Sequence, residues 1–244
     1  MKVIGVIPAR YSSTRVPGKP LADICGYPMV WWVYQQAKQV KEIDDIVVAT
    51  DDEKVMKVCQ KYDMKAIMTS WEHATPTSRI YEVSTKTDGS LYAFISGDEP
   101  LIEPEALSKV ISDARENGFD VTNAMSKIRT APEVIDSTNI KVTVGTRGTL
   151  LYTTRSPIPF PKGGLQFNYM KFVGISVYSK KALKLFNDTP RSQIETIEEC
   201  DLVRFIDKGM DVKMVEVECR SISVDTQKDL EMVRKIMKEK SKPR

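Results

Sequence analysis

A short apolar strand that runs straight into a cation-rich loop constrains this chain more than any other feature. Residues 3 to 21 read VIGVIPARYSSTRVPGKPL. Val3, Ile4, Val6 and Ile7 supply β-branched side chains suited to a buried strand, and Pro8, Pro17, Gly18 and Pro20 keep the next segment from being a helix. Arg10, Arg15 and Lys19 therefore share one loop at the strand's carboxyl end, with no acid before Asp23. In an open α/β sheet that end is where ligands bind, and guanidinium forks with an ammonium suit phosphate oxygens. Gly18 is expected to let the backbone approach such a ligand closely. Ordinary surface charge is the competing reading, but cations placed directly after a first buried strand favour a polyphosphate grip. Neither G-x-x-x-x-G-K-S/T nor G-x-G-x-x-G follows the strand, which disfavours a P-loop and a dinucleotide-binding domain.

Two acidic motifs lie farther along. In Ile95-Ser96-Gly97-Asp98-Glu99-Pro100 an apolar strand ends in glycine, two acids and proline. A hard Mg²⁺ ion prefers carboxylate and phosphate oxygens, so Asp98 opposite the cationic loop is suited to carry a metal nucleotide. The alternative is a turn acid that caps the helix starting after Pro104, with Glu99 in a supporting or structural role. In Ser223-Val224-Asp225-Thr226, which leads into an amphipathic helix over 227–237, the residues alone favour Asp225 as a helix cap with Thr226 beside it. His73, the one histidine, is expected to order its loop rather than act as a base, because the sequence offers no partner to tune it.

Strands alternating with helical stretches predict an α/β fold, a mostly parallel sheet with helices on both faces. The expected strands cover 3–7, 45–49, 66–68, 91–96, 139–144 and 172–178, and the expected helices 29–39, 53–62, 104–117 and 227–237. Trp32, Tyr34 and Ala37 read as packing, Ser156 to Gly164 as a connector looping out of the sheet, and 238–244 as a charged, frayed tail. With 36 basic and 33 acidic residues the net charge of +3 implies no nucleic-acid surface. Cys25, Cys59, Cys200 and Cys219 are widely spaced and form no C-x-x-C pair, so reduced thiols are expected rather than a zinc site or disulfides. The apolar run before Pro8 is too short for a signal peptide or membrane span, and a cytoplasmic protein without membrane contact is expected.

Pro8-Ala9-Arg10-Tyr11-Ser12-Ser13-Thr14-Arg15, followed by Pro17-Gly18-Lys19-Pro20-Leu21, resembles the amino-terminal signature of the 3-deoxy-manno-octulosonate (Kdo) cytidylyltransferases, or CMP-Kdo synthetases. Ala49-Thr50-Asp51-Asp52, Gly97-Asp98-Glu99-Pro100, Arg155-Ser156-Pro157-Ile158-Pro159 and Val224-Asp225-Thr226 with Asp229-Leu230-Glu231 continue the resemblance, in order, to about Met237. It implies a Rossmann-like nucleotidyltransferase sheet in one domain over 1–244, with about 150–209 as a smaller, dimer-forming part and no clean linker. It implies transfer of CMP from CTP to an acidic sugar with release of pyrophosphate, and a homodimer. Pro8, Ala9, Arg10, Ser12, Ser13, Arg15 and Lys19 would hold the nucleotide, with Thr75, Thr77 and Arg79 at the cytosine. Asp225 would join Asp98 on Mg²⁺, reversing the cap reading, and Arg10, Lys19, Asp98 and Asp225 would carry catalysis.

Departures from the family pattern gather at the sugar. Ser96 stands where the family has Gln, Phe172 where it has His, and Asp201-Leu202 where it has Glu-Gln. Ser96, Phe172, Asp201 and Leu202 are therefore the expected sugar-side residues. A buried hydroxyl left unpaired costs about 1–3 kcal/mol, so Kdo is expected to bind less well than a less hydroxylated or acylated relative. Pro76 replaces a glycine and removes an amide that could have met the base. Two other readings stay open: the same nucleotide with a different acceptor, such as another nonulosonic acid or a phosphate- or phosphonate-bearing acid, and a nucleotide-binding module without catalysis. The presence of both acids argues against the module.

Overall fold

The first strand, β1 (Val3–Pro8), lies near the middle of the sheet, and its alternating side chains feed two cores at once. Val3 and Ile7 enter one, Ile4 and Val6 the other, all essentially without solvent exposure. The structure is a computed structural model and describes residues 1–13, 15–162, 168–219 and 221–240. After β1 the cationic loop closes in a 3₁₀ turn at Lys19–Leu21, followed by a two-strand hairpin, β2 (Asp23–Ile24) with β3 (Tyr27–Pro28). Then come α1 (Met29–Ala37), β4 (Asp45–Thr50), α2 (Glu53–Lys61), β5 (Ala66–Met68), α3 (Pro76–Lys86), β6 (Leu91–Ile95) and α4 (Pro104–Asn117). The chain continues through β7 (Val121–Lys127), α5 (Ala131–Ile135), β8 (Lys141–Val144), β9 (Leu150–Thr154) and β10 (Met170–Ser179). It ends with α6 (Lys180–Asp188), α7 (Gln193–Glu198), α8 (Leu202–Asp207), β11 (Val212–Glu216) and α9 (Gln227–Lys240).

The sheet order is β11-β7-β10-β6-β1-β4-β5, with β8 and β9 appended through β10. All strands of this path share one direction except β10, which is antiparallel to both β6 and β7. The expected α/β architecture with a mostly parallel sheet is therefore the one observed. Its two faces are covered separately. Val30, Val33 and Ala37 of α1, Val55 and Cys59 of α2, and Leu107, Val110 and Ile111 of α4 form one layer; Ile80 and Val83 of α3, Leu183 and Phe186 of α6, and Val203 and Phe205 of α8 form the other.

The expected helices match α1, α2 and α4 within two residues, and α9 runs through Lys240, past the expected frayed start; residues 241–244 lie outside the described residues. Residues 163 and 164 of the expected connector also lie outside them. Sequence periodicity misses α3, β7, β9, β11 and α5 to α8. Their signals are weak: β7 (VTNAMSK) interleaves buried polar residues, while α5, α7 and α8 are five or six residues long. The segment 150–209 contributes β10 to the sheet's interior, so it is interwoven with the rest of the fold rather than set apart.

The chain leaves β1 toward β4 and β5 and later returns to β1's other side with β6. That reversal opens a crevice at the strands' carboxyl ends, where open α/β sheets place ligands. Gly97, just past β6, closes its floor: a Cβ there would sit 2.3 Å from the carbonyl oxygen of Pro8. Gly97→Ala is expected to lower the melting temperature by several degrees, because relief of such overpacking costs about 1–3 kcal/mol and each kcal/mol moves a chain of this size by about 2–4 °C. Calorimetry checks this; an unchanged melting temperature would mean that the two strand ends do not abut.

Candidate active site

A cleft of about 280 Å³ opens at this crevice. Pro8, Ala9, Arg10, Ser12, Ser13, Arg15 and Lys19 from the loop after β1 line it, with His73 to Pro76 and Arg79 around the start of α3 and Ser96 to Asp98 after β6. The loop is held before it reaches the cleft. Ala9 N–H donates to the Ala49 carbonyl and the Thr50 hydroxyl to the Ala9 carbonyl, each at 2.8 Å, which extends the β1–β4 pairing by one residue. Gly18 adopts φ 62° against the Tyr11 ring and turns the chain into the 3₁₀ helix that carries Lys19. It does not line the cleft among the described residues, so its role is this turn rather than the expected approach to ligand.

Lys19 is the hub. Its Nζ lies 2.8 Å from Asp98 Oδ2 and 3.4 Å from Asp225 Oδ1, and Arg15 Nη2 donates to the same Asp225 oxygen at 2.8 Å. The two acids named for the metal thus meet at one ammonium. The Asp98 carbonyl also accepts the Val224 N–H at 2.9 Å, tying the two acidic segments together through backbone. Arg10 lines the cleft, exposed, and makes no ion pair among the described residues.

The cap alternatives resolve against capping for both acids. Thr226 and Asp229 form a reciprocal box at the start of α9: Thr226 N–H and hydroxyl donate to Asp229 Oδ2 at 2.8 Å, and Asp229 N–H to the Thr226 hydroxyl at 3.3 Å. Asp225 N–H also donates to Asp229, which leaves the Asp225 carboxylate to Lys19 and Arg15. Glu103, not Asp98, takes the N-cap position of α4. Glu99 is buried beside Asp98, and burial followed by the Asp98 charge pushes its carboxyl up to about 7.

The residues expected at the cytosine are mostly committed to the fold. Arg79 is 3% exposed; it lines the cleft, yet its guanidinium donates to Asp51 at 2.8 Å and to Thr69 at 2.5 Å. Thr75 caps α3 by accepting the Ser78 N–H at 3.2 Å, and Pro76 occupies the first turn, where a missing N–H leaves no helix bond unmade. Thr77 is buried, contacts Tyr178 and donates its N–H to Asp201 at 3.3 Å. The Asp201 carboxyl is pushed up by burial despite these bonds, and it serves the start of α3.

The expected apolar sugar pocket is not what these positions build. Leu202 is 1% exposed within the core beneath α8, and the partly buried Phe172 packs against the same core. Among the described residues neither they nor Asp201 line the cleft; only Ser96 of the four does, and its hydroxyl donates to Asp98 Oδ1 at 2.7 Å. The reason is the direction of the elements. Position 202 opens α8, which packs against β9 and β11, and Phe172 lies within β10 opposite Met125 of β7, after the residues that pair with β8 and before those that pair with β6. No group of three or more His, Cys, Asp or Glu residues arranged for a metal occurs among the described residues. The four cysteines are free thiols. No described helix is long and apolar enough to cross a membrane.

The partner of His73 is absent from the sequence expectations. His73 Nε2 lies 2.5 Å from Glu82 Oε2, which also accepts the Ser70 N–H at 2.9 Å, while Lys86 reaches Glu82 Oε1 at 2.6 Å. Glu82 and Lys86 at i, i+4 signal the ion pair, but nothing in the spacing brings His73 back to it.

Comparison of the whole chain with known proteins bears on its family and fold. The family model described as "Cytidylyltransferase" matches residues 4–235. A 3-deoxy-manno-octulosonate cytidylyltransferase of Escherichia coli is 37% identical over 236 residues, spanning 97% of this chain and 96% of its own. One of Fusobacterium nucleatum is 37% identical over 241 residues, 98% of each chain. A solved CMP:2-keto-3-deoxy-manno-octonic acid synthetase complexed with CTP superposes with a TM-score of 0.94 at 37% identity, covering 98% of this chain and all of that one. The inositol-1-phosphate CTP transferase of T. maritima, 18% identical with a TM-score of 0.71 and covering 97% of this chain and 95% of its own, shares the fold.

Glu82 gives the loop beside the cleft a pH dependence. Burial pushes its carboxyl up, but hydrogen bonds from Lys86, the Ser70 N–H and His73 outweigh this and hold it at about 2, below an ordinary 4.5. A depressed acid contributes stability present above the unfolded value and lost as pH falls toward the folded one. Glu82→Gln is therefore expected to destabilise by about 1–3 kcal/mol at pH 7, with the gap closing between pH 4.5 and about 2. Denaturant titrations across that range check it; a gap independent of pH would contradict it.

Proposed function

The chain belongs to the 3-deoxy-manno-octulosonate cytidylyltransferase family, and on that premise we propose that it transfers CMP from CTP to Kdo and releases pyrophosphate. The observation that carries this reading is the convergence of Asp98 and Asp225 on Lys19 Nζ, where Lys19 and Asp98 line the cleft that the cationic loop borders.

The chemistry rests on charge. Arg10 is free to meet the triphosphate, while Arg15 and Lys19 exchange a carboxylate partner for phosphate oxygens as the nucleotide enters. A carboxylate pair on one side and phosphates on the other is the donor set Mg²⁺ accepts, so Asp98 and Asp225 would hold it. When bound, that ion supplies charge neutralisation at the phosphates. The loop cations reduce repulsion between the incoming sugar hydroxyl and the α-phosphate. They also neutralise the charge that develops as the hydroxyl bonds to phosphorus and the bond to pyrophosphate breaks. Neither cysteine nor histidine is needed as a nucleophile. The burial of Leu202 and the packing of Phe172 against the core remove the basis for favouring a less polar acceptor, and Kdo itself, the substrate named for the relatives, becomes the acceptor of choice.

The partner we propose is a second copy of this chain. Leu151, Phe160 and Ile197, exposed at 61%, 83% and 70%, all lie within 150–209, the part the family resemblance marks as dimer-forming. Trp71 and Ile135 are as exposed elsewhere, but large exposed apolar side chains within the segment that the resemblance marks fit a self-association face there.

Asp98→Asn and Asp225→Asn each remove one carboxylate charge at nearly constant volume. Both are expected to cut pyrophosphate release from CTP and Kdo at saturating Mg²⁺ by roughly 100-fold or more, with melting temperatures close to the parent's. Near-normal rates in either variant would overturn the two-acid site. The double variant Phe160→Asp, Ile197→Asp is expected to sediment as a monomer where the parent sediments as a dimer; parent and variant of equal mass would contradict the self-association face.

A further inference from the structure

We infer that Ser96 is a positioning residue for Asp98 rather than a contact to the acceptor sugar. This rests on the reading of Asp98 as a metal ligand. Ser96 Oγ donates to Asp98 Oδ1 at 2.7 Å, and Lys19 takes Oδ2 at 2.8 Å, so each carboxylate oxygen has its own donor and the plane of the group is set. Ser96 is itself held from the opposite side. Its N–H donates to the Gly174 carbonyl and its carbonyl accepts the Glu99 N–H, both at 3.2 Å. Gly174 sits in the irregular stretch of β10 between Phe172 and Ser176, and a Cβ there would lie 2.9 Å from Ser96 Cβ and 2.6 Å from Glu99 Oε1. The strand thus presses bare backbone onto Ser96 and leaves its hydroxyl directed at Asp98.

A hydroxyl has one proton to donate. Given to Asp98, it leaves only lone pairs, so Ser96 can accept from a sugar hydroxyl but can donate nothing to the acceptor's carboxylate. A hydrogen bond that orients a metal-binding carboxylate is worth far more, since loss of such a supporting contact typically lowers metal affinity 10- to 100-fold. Where the family pattern has a Gln, this chain has a shorter side chain that serves the neighbouring acid.

The test is Mn²⁺ binding in the presence of CTP without acceptor, read by electron paramagnetic resonance, together with steady-state kinetics. Ser96→Ala is expected to weaken Mn²⁺ about 10-fold and lower kcat, while KM for Kdo stays within about twofold. In an Asp98→Asn background the same substitution is expected to have no further effect on Mn²⁺, because its only route to the metal is then gone. A rise in KM for Kdo with Mn²⁺ binding unchanged would overturn the inference and make Ser96 a sugar contact. An equal loss of Mn²⁺ affinity in both backgrounds would overturn it as a general structural effect. Should the parent fail to turn over Kdo yet bind Mn²⁺ with CTP more tightly than Ser96→Ala, the acceptor reading fails and this inference stands. If the parent binds no Mn²⁺ with CTP, the inference fails with the metal reading.

Discussion

One ammonium nitrogen holds the cleft together. Lys19 Nζ reaches Asp98 after β6 and Asp225 before α9, segments from distant parts of the chain whose carboxylates would repel one another at this separation without a cation between them. The surrounding structure aims these three groups. The left-handed Gly18 turns Lys19 inward, Gly97 lets β6 abut the end of β1, the Thr226–Asp229 box caps α9 in place of Asp225, and the Val224 N–H locks the two acidic segments at 2.9 Å. The same arrangement suits a metal nucleotide, because a divalent ion satisfies the acids while phosphates satisfy the cations. Lys19 and Arg15 against Asp98 and Asp225 thus form a balanced set of charges that a metal nucleotide would divide between its ion and its phosphates.

Legibility in the sequence depends on how strongly a residue's neighbours in the chain determine its surroundings. β1, β4 and β6 are runs of apolar residues buried on both faces, and such runs announce central strands of a parallel sheet. The cationic loop and both acids stand at the ends of recognisable elements, so their shared location is readable without knowledge of any contact. The reversed direction of β10 is not, since MKFVGISVYS carries apolar alternation but no signal of polarity relative to β6. Nor is the buried Asp51–Arg79 pair, which joins the end of β4 to α3 beneath the cleft and depends on a crossover no local spacing encodes.

The sugar side shows the limit of reasoning by matched positions. A Gln, a His and another Gln replaced by Ser96, Phe172 and Leu202 suggest a pocket made apolar, provided the new side chains point where the old ones did. Here Leu202 turns into the core and Phe172 packs on it, while Ser96 serves Asp98. Burial satisfies an apolar replacement more fully than a wet cleft does, so substitutions that lower polarity also favour a different orientation. Among the described residues, the side chains that do line the cleft include the loop cations with Ser12, Ser13, His73, Thr75, Ser96 and Asp98, and the two apolar replacements at 172 and 202 are not among them.

On the proposed reading, Asp98 and Asp225 share a divalent ion with CTP while Lys19 moves onto the triphosphate. A crystal structure with CTP and Mn²⁺, with the metal located from its anomalous signal, tests it directly. The expected result is an anomalous peak within coordination distance of both carboxylates and of the triphosphate, with Lys19 Nζ on a phosphate oxygen. A peak away from both acids, or Lys19 still bound to Asp98 with the triphosphate elsewhere, would contradict it.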